Sequence, residues 1–302
     1  MKRRPQITLL PDGKRLHLQD GPIDLVIEAK GKDAEVRAAY EAAARRFTGL
    51  LDELCEELVE LRSAADPVRC PLKGIVARRM HAAVAPFAAS AFITPMAAVA
   101  GSVAEEILSA MVAVGRLDRA YVNNGGDIAL HLTGSEQFTI GLIDRPDRHG
   151  VMQTLNIDAD DPARGIATSG RHGRSFSLGI ADAVTVLAKT ASQADAAATI
   201  IANAVDLPGH PSITRCPANE LQPDSDLGAR LVTRDVGALR EHEIEDALRA
   251  GVSRAQQLLA AGLIEGAALR LLGETAVVGA TGIGAGAPRA FAGSALERTA
   301  HV

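Results

Sequence analysis

Apolar positions along the chain change period several times, and the changes outline a sequence of hairpins and helical blocks. Residues 15–18 and 23–28 carry strand-like apolar patterns on either side of Asp20-Gly21-Pro22, which predicts an opening hairpin. From residue 33 to about 62, Tyr40, Phe47, Leu50, Leu51, Leu54, Leu58 and Leu61 recur at helical spacing and predict one long amphipathic helix. A short helix is expected over 75–84 and a second long one over 95–114, where Thr94-Pro95 is a start signal and Gly115 a stop. Short strands follow at 120–122 and 128–132 around a turn at 123–127, then at Gln137–Ile143, with a turn at 145–150. Further strand-like runs lie at 153–157, 165–167 and Ala183–Ala188, before an Ala-rich helix over 192–204. A Pro/Asn/Asp-rich loop spans 208–226, an edge strand Leu231–Val236, a helix 243–259 and a last strand 275–278. Strands joined by tight turns, with helices in separate long blocks, predict an α+β fold with antiparallel sheet. One domain over residues 1–278 and a flexible Gly/Ala-rich tail over 279–302 complete the expected organisation. No internal repeat of 20–50 residues is evident.

Composition narrows the function more than the fold. A formal charge of −5 and only the short basic cluster Lys2-Arg3-Arg4 argue against a nucleic-acid partner, because phosphate-backbone binding needs a concentrated basic face. Aromatic residues are 3% of the chain, so a ligand would be recognised by backbone amides and small polar side chains rather than by stacking. Cys55, Cys70 and Cys216 form no Cys-x-x-Cys pair; neither a disulfide framework nor a zinc knuckle is expected, and Cys55 falls on the apolar side of the predicted helix. The N-terminus lacks a secretory pattern, and the run 82–100 is broken by Pro86 and Pro95, so a cytoplasmic protein with no membrane partner is expected. A homodimer is compatible with the sequence.

Three short segments carry candidate chemistry. Asn123-Asn124-Gly125-Gly126-Asp127 offers paired glycines for close backbone approach beside hydrogen-bonding side chains, although Asn-Gly is equally a plain hairpin turn. Thr168-Ser169-Gly170-Arg171 combines two hydroxyls, free backbone and a guanidinium, a set suited to phosphate oxygens and also to an ordinary turn. Asp195 and Thr199 are four residues apart at the start of an Ala-rich helix, so a carboxylate and a hydroxyl share one face and could meet one hard cation. The alternative there is capping, with Ser192 as N-cap and Asp195 in the first turn. Gly282-x-Gly284-x-Gly286 has too little chain after it for a dinucleotide-binding unit. Asp144, Asp147, Asp158, Asp160 and Asp161 lack the spacing of a calcium loop.

In order along the chain, Gly125-Gly126-Asp127, Thr168-Ser169-Gly170 and the Ala-Asp-Ala-x-x-Thr stretch 194–199 resemble the ApbE superfamily, the FAD:protein FMN transferases. The resemblance covers about residues 75–205. It is nearest to an uncharacterised branch, carried by phrases such as Pro95-Met96-Ala97-Ala98-Val99-Ala100-Gly101. It implies a T-fold-like α+β domain that binds FAD in a cleft through Asn124, Gly125, Gly126, Asp127, Thr168, Ser169, Gly170 and Arg171. It further implies Mg²⁺ held by Asp195 and Thr199, and FMN passed to a Ser/Thr of an acceptor flavoprotein with release of AMP.

Two family features differ here. Ala100-Gly101 stands where the transferases have Lys-Gly, and residues 175–182 run on without the His…Asp-Pro-x-Thr-Gly stretch. His172 and Asp182 are the candidate substitutes for the lost acid–base groups. The expectations left open are a Mg²⁺-dependent FMN transferase or FAD pyrophosphatase, a non-catalytic flavin-binding module, and an enzyme acting on a small heterocyclic metabolite in the same cleft.

Overall fold

The computed structural model describes residues 5–143 and 151–279. Strands β1 (Gln6–Leu9), β2 (Leu16–Asp20) and β3 (Ile23–Gly31) lead into helices α1 (Asp33–Phe47), α2 (Leu50–Glu56), α3 (Leu58–Leu61) and α4 (Ile75–Ala88). A 3-10 turn over Pro95–Ala98 opens α5 (Val99–Val112), which is followed by β4 (Leu117–Asn124) and β5 (Asp127–Leu132). The hairpin β6 (Gln137–Ile143) and β7 (Val151–Asp158) precedes β8 (Gly165–Ser169), β9 (Ala183–Ala188) and α6 (Ala191–Ala204). The chain ends its described part with β10 (Ile213–Pro217), α7 (Ala218–Leu221), β11 (Leu231–Val236), α8 (Glu241–Ala260), β12 (Gly266–Leu271) and β13 (Glu274–Gly279).

Among the described residues, nine strands form one sheet in the order β1-β2-β3-β4-β5-β8-β9-β12-β13. Every neighbouring pair is antiparallel, as the turn chemistry of the sequence predicts. The order contains a duplication. A hairpin (β2-β3), long helices α1 and α5, and a second hairpin (β4-β5) are matched by β8-β9, α6, α8 and β12-β13. Each long helix covers its own pair of strands: α1 lies on β2 and β3, α5 on β4 and β5, α6 on β8 and β9, α8 on β12 and β13. The two halves meet at β5 and β8.

Burial follows this plan. Leu25, Ile27, Val122 and Ile107 belong to the core under α1 and α5; Val184, Val186, Ile201 and Leu269 belong to the core under α6 and α8. Each such buried side chain contributes roughly 1.5–3 kcal/mol over its exposed state. The opposite face of the central strands presents Leu130, Ile166 and Leu187, which Ile157 of the β6–β7 hairpin helps to cover. The stretch Pro95–Val112 is long and apolar enough to cross a membrane. Here it is a core helix, with β4 and β5 beneath it and α1, α4 and α6 against it.

The structure departs from the expected elements at identifiable places. The single helix predicted over 33–62 is three helices, broken at Gly49, which takes a left-handed φ of 88°. The break resets the helical phase: Leu50 and Leu54 stay buried, while Cys55, expected on the apolar side, is exposed. Strand β10 and helix α7 occupy the predicted loop 208–226. Strand β12 has no counterpart in the pattern, because Gly266-Ala267-Ala268 carries little β-propensity and its extended form is imposed by pairing with β9 and β13. The turn at 145–150, the cluster at 2–4, Asp144, Asp147 and the tail from 280 onward lie outside the described residues.

Candidate functional site

The three candidate segments are far apart in sequence, and the junction of the two halves brings them together. Strands β5 and β8 pair only at Ile128↔Ile166 and Ala129↔Gly165. Beyond that short ladder, the Thr168 amide donates to the Asp127 side chain (3.2 Å) rather than to backbone. Asp127 thus stands where the halves separate. By strand alternation it lies on the helix-covered face, with Asn124 and Ala129.

Asp195 arrives from the other direction, on the second turn of α6. It does not cap its own helix, because Thr190 is the N-cap and accepts from the Gln193 amide. Instead its Oδ2 accepts from the Gly101 amide at 2.9 Å, with the Ala100 amide also bonded to it. These amides belong to the first turn of α5, a helix end that favours a carboxylate. The same helix pair is tied in the reverse sense one turn on: Glu105 of α5 accepts from the Ser192 amide of α6 at 2.6 Å. Each helix therefore presents a carboxylate to the free amides of the other. The crossing is close enough that a Cβ on Gly101 would lie 2.3 Å from the Ala191 carbonyl oxygen. Gly101→Ala is expected to force the helices apart and to lower stability by about 1–3 kcal/mol, measured by urea unfolding.

Glu105 is anchored from behind. Its other oxygen lies 3.2 Å from Arg79 Nε, and Arg79 also reaches Glu106, which holds Arg46 of α1 at 2.6 Å. We expect Glu105→Ala to free the Ser192 amide, loosen the start of α6 and lower stability by about 1–2 kcal/mol. Glu105→Gln, which keeps an acceptor for the Ser192 amide, should recover most of the loss; urea unfolding compares the two.

Asp127 and Asp195 share an enclosed space with little to neutralise them. Burial pushes the Asp127 carboxyl up to about 7, against the Thr168 amide and the Arg174 charge, which act in the other direction. Burial also pushes Asp195 well above the usual carboxylate range, and the negative charge of Asp127 adds to it, over the opposing amide bonds of Gly101 and Ala100. Both residues keep some accessible surface. Half-buried Thr199 follows Asp195 by one helical turn on the same face. Among the described residues no cluster of three or more His, Cys, Asp or Glu side chains forms a metal cage. Two carboxylates and a hydroxyl still suit Mg²⁺, which is usually held by one or two carboxylates together with waters and phosphate oxygens.

The remaining expected residues fall into two groups. Asn124 is buried, and its Nδ2 donates to the Ala100 carbonyl (3.2 Å), fixing the start of α5 against β4. Asn123 closes the 123–127 turn by accepting from the Gly126 amide at 2.8 Å. Ser169 shares the helix-covered face with Ala167, whereas the Thr168 hydroxyl pairs across the sheet with Thr185 at 2.8 Å. Arg171, expected as the phosphate-binding guanidinium, is instead ion-paired with Asp182 through Nε (2.8 Å) and Nη2 (2.6 Å). His172 Nε2 is 3.3 Å from the same carboxylate, whose other oxygen accepts from the Leu272 amide at 2.5 Å. Asp182 and His172 are thereby placed in a latch that ties the loop after β8 to the β12–β13 turn. Sequence reasoning missed Arg174. Its guanidinium lies against Gly125, where a Cβ would be 1.2 Å from Nη2. The available signal was a second arginine three residues after Arg171.

A family model described as AbpE bacteria matches residues 7–277 of the chain. A UPF0280 protein of Methanopyrus kandleri is 35% identical over 182 residues, 60% of this chain and 69% of that protein. A UPF0280 protein of Methanocella arvoryzae is 37% identical over 164 residues, 53% of this chain and 63% of that protein. The match thus spans about two thirds of these relatives' length. The apo crystal structure of Pseudomonas stutzeri flavinyl transferase ApbE aligns over 92% of this chain and 95% of its own, at 11% identity and a TM-score of 0.48.

Proposed function

Since the chain belongs to the family described as AbpE bacteria, we propose that it is a Mg²⁺-dependent flavin-nucleotide enzyme that takes FAD at the junction of β5, β8, α5 and α6. The observation that carries this reading is the meeting of Asp127 from β5 and Asp195 from α6 in one enclosed place, with Thr199 one helical turn beyond Asp195. Asp127, Asp195 and Thr199 would hold the cation, which supplies neutralisation of the pyrophosphate and of the leaving phosphate when bound. The Thr168 amide orients Asp127, the α5 amides orient Asp195, and Asn124 fixes the start of α5. In this reading Asp182 and His172 position the loop at 168–174 and exchange no proton with the ligand.

In the transfer reaction an acceptor hydroxyl oxygen bonds to the FMN phosphorus. The anhydride bond to AMP breaks with its electron pair on AMP, and the hydroxyl proton passes to solvent. With water as acceptor the same cleavage yields FMN and AMP. A second reading, flavin binding without transfer, is favoured by Ala100, which leaves no ammonium group at the place of the family's Lys-Gly pair. Incubation with FAD and Mg²⁺, followed by chromatography of the nucleotides, tests the proposal. AMP release that stops with EDTA supports catalysis, intact FAD bound at micromolar affinity supports the second reading, and no FAD binding refutes both.

A further inference from the structure

Arg171 cannot serve as a free phosphate-binding cation while Asp182 holds it, and Ala100 offers none. A cation with no role so far is Arg174, on the loop between β8 and β9. It is exposed, and among the described residues it forms no ion pair within 4 Å, yet its guanidinium is seated on the 123–127 turn. The position of a residue-125 side chain is filled by that guanidinium: Nη2, Cζ and Nε would lie 1.2, 2.3 and 2.9 Å from a Cβ there. Gly125 has a left-handed φ of 64°, so the turn combines a backbone that excludes most side chains with an arginine in the vacated space. From there the charge acts on Asp127, lowering its proton affinity.

Resting on the flavin-nucleotide reading, we infer that Arg174 is the anion-binding residue of the site and grips a pyrophosphate group beside the cation bound by Asp127 and Asp195. A guanidinium presents a planar fork of N–H donors that matches two phosphate oxygens, which a lone backbone turn does not. Seating on Gly125 holds this fork against the turn that carries Asp127, while Arg174 stays exposed. The class of ligand assigned is therefore an organic pyrophosphate, with Arg174 taking the role that the sequence pattern suggests for Arg171. Gly125 is a positioning residue, because a methyl group at that point would displace the guanidinium without altering any charge.

Calorimetric titration of the full chain with inorganic pyrophosphate in the presence of Mg²⁺, and with Mg²⁺ alone, tests the inference. Arg174→Ala should weaken pyrophosphate at least about tenfold and Arg174→Lys less. The affinity for Mg²⁺ alone, which Arg174 touches only through its charge on Asp127, should change by much less than that for pyrophosphate. Gly125→Ala should reproduce the loss, and the double variant should be no weaker than Arg174→Ala, because both changes remove the same contact. Pyrophosphate affinity in Arg174→Ala within about twofold of a binding-competent parent would overturn the role of Arg174 and leave the metal site standing. A parent chain that binds neither Mg²⁺ nor pyrophosphate would overturn the flavin-nucleotide reading along with it.

Discussion

Asp195→Ala is expected to abolish Mg²⁺ binding and Mg²⁺-dependent FAD binding while leaving the fold intact. In the proposed site the carboxylate would be one of two charged oxygen donors, and Mg²⁺ held by so few protein groups does not survive the loss of one. The effect on stability is the difference of two opposing terms. Removing the acceptor of the Gly101 and Ala100 amides costs about 1 kcal/mol per bond. Removing a charge that repels Asp127 relieves an enclosed like-charge pair and acts the other way. Thermal melts should therefore show a small net change, and calorimetry should show no Mg²⁺ heat. A variant that still binds Mg²⁺ within about threefold of the parent would show that Asp195 is only a cap for α5.

Stability against pH should show the second large effect. Burial pushes the folded Asp127 carboxyl up from 3.8 to about 7. The native state therefore holds a proton that the unfolded chain has already released. The stabilisation is complete below the unfolded value and is lost as pH rises from about 4 through 7, with Asp195 contributing in the same sense. Asp12 and Glu243 shift the other way, both lowered to about 2, and their contributions fade only as pH falls below about 4. In EDTA, the melting temperature should fall between about pH 5 and 8. Asp127→Asn should flatten the fall and melt higher than the parent at about pH 8, having lost the metal site. Mg²⁺ should restore the parent at that pH and do nothing for the variant. A parent chain whose melting temperature is level or rises over this range, with EDTA present, would show that burial does not raise the Asp127 carboxyl.

How much of this was legible in the sequence depends on the residue. Asp195 and Thr199 are readable as a pair because helical spacing alone puts them on one face. Asp127 belonged to a recognisable turn, but its position opposite Asp195 could not be read, because the contact is made where two halves of the sheet meet. The duplication behind that junction left no trace as a repeat, since the halves share element order rather than residues. The ambiguity over capping at Asp195 was real. The residue does cap a helix, but a neighbouring one that no local pattern identifies. Arg171 and Arg174 are indistinguishable by type and nearly so by position. Only the placement of Asp182 beside one and Gly125 beside the other separates an anchored cation from an available one. Strand β12 escaped notice for a similar reason, its extended form being set by strands on both sides.

The proposed sharing of one cation by Asp127 and Asp195 is tested most directly by diffraction from crystals grown with Mn²⁺ and FAD, using the anomalous signal of manganese. One peak is predicted between Asp127 and Asp195, within about 2.0–2.3 Å of an oxygen of each, as oxygen ligation of a small divalent cation requires. Ordered FAD with manganese elsewhere, or no manganese at the two carboxylates at saturating concentration, would contradict it.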